Sequence, residues 1–466
     1  METSALMKVK TADAAGVSLR TVLVYGLTTS VLVAALTLPT LASVAYERTL
    51  RTVLLVLLLG LVGRTFLGSL LAFARTDPPT ALPEDLPLVS VVIPAYNEEP
   101  VLADTIEAAL AVDYPSDRLE VVVCYEAAST DRTAAIAERY GDEHDAVKAV
   151  ERDEPGGGKA KATNYALQYA TGELIASIDA DHEFDPAAVE RAVRWFHADE
   201  AIWCVKGRCY GRNPTDSLLA LHATVERHIA ELADLFGRQV FGGFTIFGGG
   251  QAFFRAELFD ELGPFDEAVL VEDIDMSARI HAHGKRIQVD PYTLTYEENP
   301  ATLSGWWSQR SRWARGWMQV AVRHLPRLSR NRTLSRRERA DAVYTFSYAL
   351  LPVLLVLVAP LFVLDRLALD SSTWLAGDGY LWTAVGLSPV VCSYLVFARD
   401  RRAGHSHHPL EYLAAFTLWF YLFFQSVVYV AAFLDEFVFD RELVYVTTSR
   451  TGDAGEAEPE RAPGDD

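Results

Sequence analysis

Hydrophobic residues divide the chain into two apolar blocks that flank a long mixed block. The first apolar block runs from about residue 21 to residue 73 with few charges, and the second runs from about residue 343 to residue 433. Each block contains apolar runs close to the roughly 20 residues that a helix needs to cross a bilayer. The pattern predicts five membrane-spanning helices: Leu23–Tyr46, Val53–Phe73, Val343–Leu364, Tyr380–Phe397 and Tyr412–Phe433.

The apolar beginning of the chain is too long for a cleavable signal peptide and lacks a small-residue cleavage pattern, so we interpret it as an uncleaved anchor. Lysine and arginine are concentrated next to the spans: before the first span, in residues 323–339, and in residues 399–402. Basic residues beside a span stay on the cytoplasmic side. We therefore expect a cytoplasmic central block, and five crossings would leave the acidic tail, from Asp435 onward, outside the cell.

The central block alternates short apolar β-branched runs with helical patterns. The predicted strands are 88–94, 119–124 and 174–178, and the predicted helices between and after them are 100–111, 131–140 and 160–169. Strands that alternate with helices predict an α/β fold with a mostly parallel, Rossmann-like sheet. A further amphipathic helix is predicted over residues 217–236, packed on the sheet or in the membrane interface.

Composition narrows the classes of partner. The formal net charge is −20 at pH 7, and a strongly acidic chain argues against nucleic acid as a partner, because the phosphate backbone is itself anionic. The four cysteines are not spaced for zinc, and we expect free, mostly buried thiols. His405, His407 and His408 form a short loop; we favour a solvated loop between two spans over a metal site.

Polar side chains follow three of the predicted strands. Tyr96 and Glu98 come after the first strand, Glu126 after the second, and Asp179 directly after the third. In α/β sheets, ligands bind beyond the carboxyl ends of the strands. Three strand ends with polar groups therefore predict one binding site along this edge of the sheet.

Asp179 and Asp181 flank a single residue at a strand end, so both carboxylates can face one hard cation. Mg²⁺ and Mn²⁺ prefer carboxylate and phosphate oxygens, and a nucleotide diphosphate leaving group needs such a cation to neutralise its developing charge. Lys159 follows a glycine run and begins a predicted helix, where an anion is favoured. A flexible hinge is the alternative for this run, because Ala160 stands where a nucleotide-triphosphatase loop requires Ser or Thr.

Glu272 and Asp273 begin a predicted helix after an apolar run. Asp273 is the candidate general base that takes the proton of an acceptor hydroxyl. The alternative is that Asp273 or Asp275 only caps the helix. Gly249 lies in a run of glycines, where the backbone can approach a ligand closely, so an acceptor sugar fits beside it.

The segment around residues 306–318 is unusually rich in tryptophan and arginine. Arg312 offers a forked donor for a pyrophosphate, and Trp313 offers a flat face for a sugar ring. Tryptophans also anchor helices in membrane interfaces. An interfacial helix is therefore the alternative, and it is compatible with a binding function.

The order of these motifs between flanking spans resembles the family 2 glycosyltransferases, and most of all the membrane-embedded synthases of cellulose, chitin, hyaluronan and poly-N-acetylglucosamine. The resemblance covers about residues 87–318. It implies a glycosyltransferase-A fold, an inverting transfer, and a nucleotide-sugar donor that is usually linked to uridine diphosphate.

The resemblance also implies a role for each matching residue. The expected nucleotide-sugar-binding residues are Tyr96, Glu98, Glu126, Lys159, Asp179 and Arg312. Asp179 and Asp181 are the expected metal ligands, and Asp273 is the expected catalytic base. The expected acceptor-binding residues are Glu272, Gln309, Trp313 and Gly249.

Two features depart from the family pattern, and a third feature matches the family but conflicts with the predicted topology. The family usually has Asp-Asp-Gly-Ser after the second strand, whereas this chain has Glu126 followed by two alanines, so the contact to uridine is missing or moves to Glu126. Val271 replaces the Thr of the family's Thr-Glu-Asp motif. Residues 445–450 resemble the segment that closes over the donor, which must be cytoplasmic. Either one apolar block does not cross the membrane, or this last resemblance is accidental.

The expected organisation is a cytoplasmic N-terminus in residues 1–20, two spans in 21–75, a catalytic domain with interfacial helices in 86–340, about three spans in 341–434, and an acidic, disordered tail in 435–466. The leading hypothesis is a multi-pass cell-membrane enzyme that uses Mg²⁺ or Mn²⁺ to extend and export a polysaccharide. Its expected partners are the nucleotide-sugar donor, a glycan or lipid-linked acceptor, and membrane lipids.

Two alternatives remain. Within the same class, a non-processive glycosyltransferase would act once on a lipid-linked acceptor. From a different class, a transporter or receptor would carry the central block as a cytoplasmic sensor domain. That last hypothesis leaves the carboxylates unexplained, and the spans contain few of the polar residues that transported solutes need.

Overall fold

The structure is a computed structural model that describes residues 8–11, 19–74, 79–154, 156, 158–367, 378–441 and 444–447. Its strands are β1 (Lys8–Thr11), β2 (Val89–Ala95), β3 (Leu119–Glu126), β4 (Val147–Arg152), β5 (Leu174–Ile178), β6 (Glu183–Phe184), β7 (Ile202–Gly211), β8 (Gln251–Arg255), β9 (Arg286–Glu297) and β10 (Val444–Thr447). The predictions for most of the tail, and for residues 448–450 of the segment that resembles a donor lid, lie outside the described residues.

The α-helices alternate with these strands and flank them. They are α1 (Leu19–Ala42), α2 (Val44–Leu71), α3 (Leu102–Leu110), α4 (Thr133–Glu143), α5 (Gly158–Leu167), α6 (Ala188–Ala198), α7 (Leu218–Ile229), α8 (Gly237–Phe241), α9 (Glu257–Leu262), α10 (Glu272–Ala282), α11 (Leu303–Leu328), α12 (Arg336–Ser347), α13 (Leu351–Leu367), α14 (Asp378–Arg402) and α15 (Pro409–Phe437). Two 3₁₀ turns lie at Ser116–Arg118 and Tyr348–Leu350.

The central sheet has the strand order β4-β3-β2-β5-β8-β7-β9-β6. The first four strands are parallel, as the alternation of strands and helices predicts. β7 and β9 are also parallel, whereas β8 is antiparallel to both β5 and β7, and β6 is antiparallel to β9. The sheet formed by the described strands is therefore mixed, with four of its seven strand pairs parallel. The antiparallel β8 brings the glycine run before it against the end of β5, where the Asp179 amide donates to the Gly250 carbonyl at 3.0 Å.

The sheet is covered on both faces, which explains why β3 is buried along its whole length. One face packs on α3, α4 and α6 through residues such as Val91, Ile106 and Val193. The other face packs on α5, α9 and α10 through residues such as Val122 and Ile280. The polar strand ends are left at the rim between these two cores.

Within the described residues, five helices are long and apolar enough to cross a membrane, which confirms the five apolar helices expected from the sequence. They are Leu19–Ala42, Val44–Leu71, Arg336–Leu361, Tyr380–Arg402 and Pro409–Phe437. The third combines α12, the 3₁₀ turn and the first part of α13.

The predicted helix 217–236 is divided into α7 and a π-helical segment, Ala230–Phe236. The C-terminal end of α2 packs directly on this segment at Gly68. The contact requires glycine, because a Cβ at this position would collide with the Ala233 carbonyl. Arg64 of α2 adds an ion pair to Asp234 at 3.4 Å. The π-helical segment therefore has a membrane helix on one side, and Glu231 and Asp234 line the cavity described below.

Candidate active site

A cavity of about 620 Å³ lies at the carboxyl ends of β2, β3 and β5, and extends to α10 and α11. Every site residue predicted from the sequence lines this cavity: Tyr96, Glu98, Glu126, Lys159, Asp179, Asp181, Gly249, Glu272, Asp273, Gln309, Arg312 and Trp313. Seven chain segments therefore converge on one space, although the residues that they contribute are up to 217 positions apart in the sequence, from Tyr96 to Trp313.

Glu126 ends β3 at the outer part of the cavity and is paired with Arg152 of β4. The Arg152 guanidinium donates to both Glu126 oxygens at 2.8 and 2.6 Å, and to the Gly156 carbonyl at 2.5 Å. Both side chains are buried. The Glu126 carboxylate is therefore fixed in orientation, and it faces a cavity wall that also contains Tyr96 and Glu98.

The loop that carries Tyr96 is tied to the next loop by Asn97, which has a left-handed backbone with φ of 54°. Asn97 Oδ1 accepts from the Thr130 amide at 2.7 Å, and the Glu98 amide donates to Thr133 Oγ1 at 2.8 Å. Asparagine tolerates a left-handed backbone better than most residues do. The loop after β2 and the loop after β3 therefore form one fixed wall of the cavity.

Lys159 stands in the first turn of α5, as the sequence predicts, and its ammonium group forms an ion pair with Asp179. The same ammonium lies 3.7 Å from Glu272 Oε1. Lys159 therefore joins the end of β5 to the start of α10. Positive charge between these carboxylates suits a diphosphate that enters the same space.

Asp181 begins a chain of buried charged groups that includes residues missed by the sequence analysis. His182 Nδ1 lies 3.0 Å from Asp181, and His182 Nε2 lies 3.2 Å from Glu297. Burial alone would lower the pKa of His182, but the neighbouring carboxylates raise that pKa well above its usual value. Arg227 of α7 then donates to both Glu297 oxygens at 2.6 and 3.0 Å.

The same region contains a group of potential metal ligands. Asp179, Asp181 and His182 each have a ligand atom within 4.8 Å of the others. Two carboxylates and an imidazole suit a Mn²⁺ or Mg²⁺ ion that also binds phosphate oxygens. Lys159 is already paired with Asp179, so a cation in this corner would share that carboxylate with the Lys159 ammonium.

Asp273 stands in the first turn of α10, in the middle of the cavity. Burial and the neighbouring Glu272 raise the pKa of Asp273 to about 6, although Lys159 and Arg312 act in the opposite direction. Its Oδ1 accepts only from the adjacent Ile274 amide, at 2.8 Å. No side chain caps α10. The geometry therefore gives Asp273 the environment of a proton acceptor rather than that of a helix cap.

α11 carries Gln309, Arg312 and Trp313 along the inner wall of the cavity. The Arg310 guanidinium lies 4.5 Å from the centre of the Trp313 ring, and Arg227 lies 5.6 Å from it. The indole is thus held by two cations, and it also faces the cavity. Arg227 connects Trp313 to the Glu297–His182–Asp181 chain, so these residues of the cavity wall share one network.

Two sequence-based interpretations are wrong. Asp275 neither caps α10 nor reaches the cavity; its buried carboxylate bonds to His324 at 2.7 Å. The histidine loop is not simply solvated, because the His407 side chain is fully buried, 3.0 Å from Asp400 and 3.1 Å from Glu411. His182 could have been suspected from its place directly after Asp181, whereas Arg227 and Glu297 carry no local signal.

The chain is similar to known glycosyltransferases. The family described as "Glycosyltransferase like family 2" matches residues 87–316. A probable glycosyltransferase of Bacillus subtilis, YdaM, is 33% identical over 244 residues, which are 52% of this chain and 58% of that protein. A beta-monoglucosyldiacylglycerol synthase of Nostoc sp. is 28% identical over 271 residues, 57% of each chain.

A poly-beta-1,6-N-acetyl-D-glucosamine synthase of Staphylococcus epidermidis is also 28% identical, over 240 residues that are 50% of this chain and 56% of that protein. The chain thus matches little more than half the length of these curated relatives. The relatives act on different acceptors by name, and this chain is about equally similar to both synthases.

Among solved structures, a mannosyltransferase from Pyrobaculum calidifontis, determined with GDP-Man and Mn²⁺, superposes with a TM-score of 0.55 at 23% identity. The match covers 84% of this chain and 100% of that one. At this identity the similarity concerns the fold, and it agrees with the glycosyltransferase-A fold expected from the sequence.

Proposed function

Since residues 87–316 form a family 2 glycosyltransferase domain with a glycosyltransferase-A fold, we propose that this membrane protein transfers a sugar from a nucleotide-sugar donor to an acceptor hydroxyl with inversion at the sugar carbon. The single observation that carries the proposal is the partly buried Asp273, whose pKa desolvation and Glu272 raise to about 6, in the same cavity as Lys159, Asp179 and Arg312. The cavity therefore combines positive charge for a diphosphate with a carboxylate base beside it.

In the proposed reaction, Asp273 takes the proton of the acceptor hydroxyl while the oxygen attacks the anomeric carbon of the donor. The new glycosidic C–O bond forms as the bond between that carbon and the phosphate oxygen breaks. The nucleotide diphosphate leaves with the electron pair, and the proton stays on Asp273. A carboxylate with a pKa near 6 is ionised at neutral pH, yet it is basic enough to share the proton in the transition state.

The leaving diphosphate would bind between Lys159 and Arg312, which reach the cavity from α5 and α11. Asp179 and Asp181, with His182 beside them, are the residues that would hold a divalent cation. When bound, such a cation neutralises the charge that develops on the diphosphate oxygens. The Mn²⁺ and GDP-Man in the mannosyltransferase of similar fold are consistent with this assignment.

The nucleoside would lie against Tyr96, Glu98 and Glu126. A fixed carboxylate accepts hydrogen bonds and cannot donate them. The Glu126 carboxylate can therefore accept from a ring N–H, as in uracil or guanine, and also from an exocyclic amino group, as in cytosine or adenine. We propose a uridine diphosphate sugar as the first donor to examine and a guanosine diphosphate sugar as the second.

The acceptor would lie at the Trp313 end, with Gln309, Glu272 and Gly249 around it. A growing polysaccharide is the leading candidate, because the indole offers a flat face to a sugar ring. A lipid-linked acceptor is the second candidate, because Leu235, Ile246 and Trp317 also line the cavity. Coupling of synthesis to export belongs to the first candidate only.

The membrane arrangement is proposed on charge. The chain is strongly acidic, yet residues 323–339 contain seven arginines against one glutamate, directly beside a candidate span. Basic segments beside spans stay cytoplasmic. We propose that this basic segment and the catalytic domain, residues 86–340, lie on the cytoplasmic side of the cell membrane.

The test is incubation of membranes with a panel of labelled nucleotide sugars, followed by sizing of the products. The decisive variant is Asp273→Asn, which keeps the size of the side chain but cannot take the proton. We expect normal donor binding and a transfer rate lower by about 10²–10⁴-fold, the usual contribution of a general base. Asp260→Asn, at an exposed carboxylate of α9, is the matched control. Near-normal turnover by Asp273→Asn would remove the base from the mechanism.

A further inference from the structure

α15 is attached to the catalytic domain along its whole length, although its composition is that of a membrane span. Near its start, Glu411 lies 3.1 Å from His228 of α7, and Thr417 lies 2.9 Å from His222 of the same helix. Near its end, Glu436 accepts from Arg315 of α11 at 3.0 Å. The 29 residues of α15 are about 43 Å long at about 1.5 Å per residue.

The middle of α15 closes the seam between α7 and α11. The Tyr421 hydroxyl accepts from Trp306 Nε1 and from Arg310, each at 3.0 Å, and donates to Glu226 at 3.0 Å. Glu226 and Arg310 are themselves paired at 2.7 Å. α15 is therefore joined to both helices at the same point.

These contacts restrict the orientation of α15. α11 runs beside α15 from Trp306 to Gln319, and in this stretch it carries Arg310, Arg312 and Arg315. Charged side chains are costly in the hydrocarbon of a bilayer, and α11 also lines the polar cavity. Since α11 cannot stand across the hydrocarbon, a helix packed along it cannot do so either.

The outer face of α15 fits the surface of a membrane. Its exposed apolar residues recur at helical spacing on one side, whereas the opposite side packs on α7 and α11. This stripe consists of Leu413, Phe416, Phe420, Phe423 and Val427. The buried face of α15 is mostly apolar and also packs on α13 and α14, while the charged contacts lie near its two ends. A helix packed on the protein along one face, with an aromatic stripe along the other, can lie in the interface plane.

The two ends of the described chain give an independent argument. β1, which precedes α1, pairs in parallel with β10, which follows α15, from Lys8 opposite Val444 to Thr11 opposite Thr447. Paired strands lie on the same side of a membrane. Five crossings would put β1 and β10 on opposite sides, whereas four crossings, the five candidate spans less α15, keep them together.

We propose that α15 does not cross the membrane but lies along its surface on the catalytic side, with its aromatic stripe against the lipid. On this proposal the chain crosses the membrane four times, one fewer than the sequence predicts. This arrangement also returns the chain after α15 to the cavity side, where Arg315 donates to the Arg441 carbonyl at 2.7 Å. The arrangement depends on packing and chain connectivity, and it holds whether or not the proposed transfer reaction is correct.

The experiment is labelling of single cysteines with an impermeant maleimide in sealed membrane vesicles of both orientations. Ser406→Cys lies before α15 and Asp440→Cys lies after it, both at exposed positions. Asp142→Cys, on the catalytic domain, reports one side, and Ala45→Cys, at an exposed position in the first turn of α2, reports the other. The four native cysteines are buried, so background labelling should be low.

We expect Ser406→Cys and Asp440→Cys to label with Asp142→Cys, and Ala45→Cys to label only in vesicles of the opposite orientation. Labelling of Asp440→Cys together with Ala45→Cys would mean that α15 crosses, and the proposal would be wrong. Val438→Cys is a second reporter beyond α15, in case Asp440→Cys disturbs the left-handed backbone at that position. Because labelling does not require turnover, its outcome is independent of whether the proposed reaction is found.

Discussion

Gly249 faces the carboxylate of Asp273, and a Cβ built on Gly249 would lie only 3.1 Å from Asp273 Oδ2. The backbone at Gly249 is left-handed, with φ of 71°. Glycine is favoured in this conformation because a Cβ is strained there. The sequence thus keeps open the space through which an acceptor hydroxyl would reach the proposed base.

Gly249→Ala should reduce transfer strongly while leaving donor binding in place, because the new methyl group occupies the space in front of Asp273. Gly242→Ala is the matched control: Gly242 has φ of 74°, but nothing lies within 4 Å of a Cβ there. Both variants should lose about 1–2 kcal/mol of stability from the left-handed backbone. Thermal unfolding and transfer assays on both variants separate backbone strain from blocked access, and equal transfer by the two variants would contradict the assignment.

The pH dependence of transfer should report Asp273. The base must be ionised to accept a proton, so kcat/KM should fall as the pH drops through about 6 and should level off above it. Because the folded state raises this pKa, Asp273 favours folding fully below about pH 4, and this contribution is lost as the pH rises through about 6. Asp273→Asn should therefore be no less stable than the wild type at pH 8. A flat profile between pH 5 and 8 would exclude this titration from the rate.

Removal of divalent cations should abolish transfer if Asp179 and Asp181 hold a metal. We expect loss of product in excess chelator and recovery when Mn²⁺ or Mg²⁺ is added back. Asp181→Asn should raise the Mn²⁺ concentration needed for half-maximal activity, because one charged ligand is lost. Full transfer by wild-type membranes in excess chelator would refute the metal site.

Trp313→Ala should impair transfer to the acceptor more than hydrolysis of the donor. The indole is proposed to hold the acceptor, and attack by water does not depend on it. The ratio of extended product to free sugar should fall, and Trp313→Phe, which keeps a flat aromatic face, should restore part of it. Equal loss of both activities in Trp313→Ala would assign Trp313 to the structure of α11 rather than to the acceptor.

Much of the site could be predicted because its residues stand at strand ends or in the first turns of helices. Asp179 directly follows β5, and Lys159 and Asp273 begin α5 and α10. Such positions are visible as the place where an apolar run meets a polar residue. By contrast, Glu297 and Arg227 have no local signal, because their role arises only from the pairing of β9 with β7 and the packing of α7 over the sheet.

The placement of α15 could not be read from its composition. A helix that crosses a bilayer and a helix that lies along the membrane surface can have the same length and hydropathy. The difference comes from the distant partners of Glu411, Tyr421 and Glu436. The antiparallel direction of β8 was not predicted for a similar reason, since it depends on which strands β8 joins rather than on its own residues.

The contact between Gly68 and Ala233 has a mechanical consequence. With no side chain as a spacer, the backbone of α2 touches the π-helical segment that carries Glu231 and Asp234 in the cavity wall. A transmembrane helix changes its tilt when the hydrocarbon layer becomes thinner or thicker. Tilting of α2 would displace this wall directly. The transfer rate would then depend on the length of the lipid acyl chains. The enzyme would then be tuned to the thickness of the membrane in which it works.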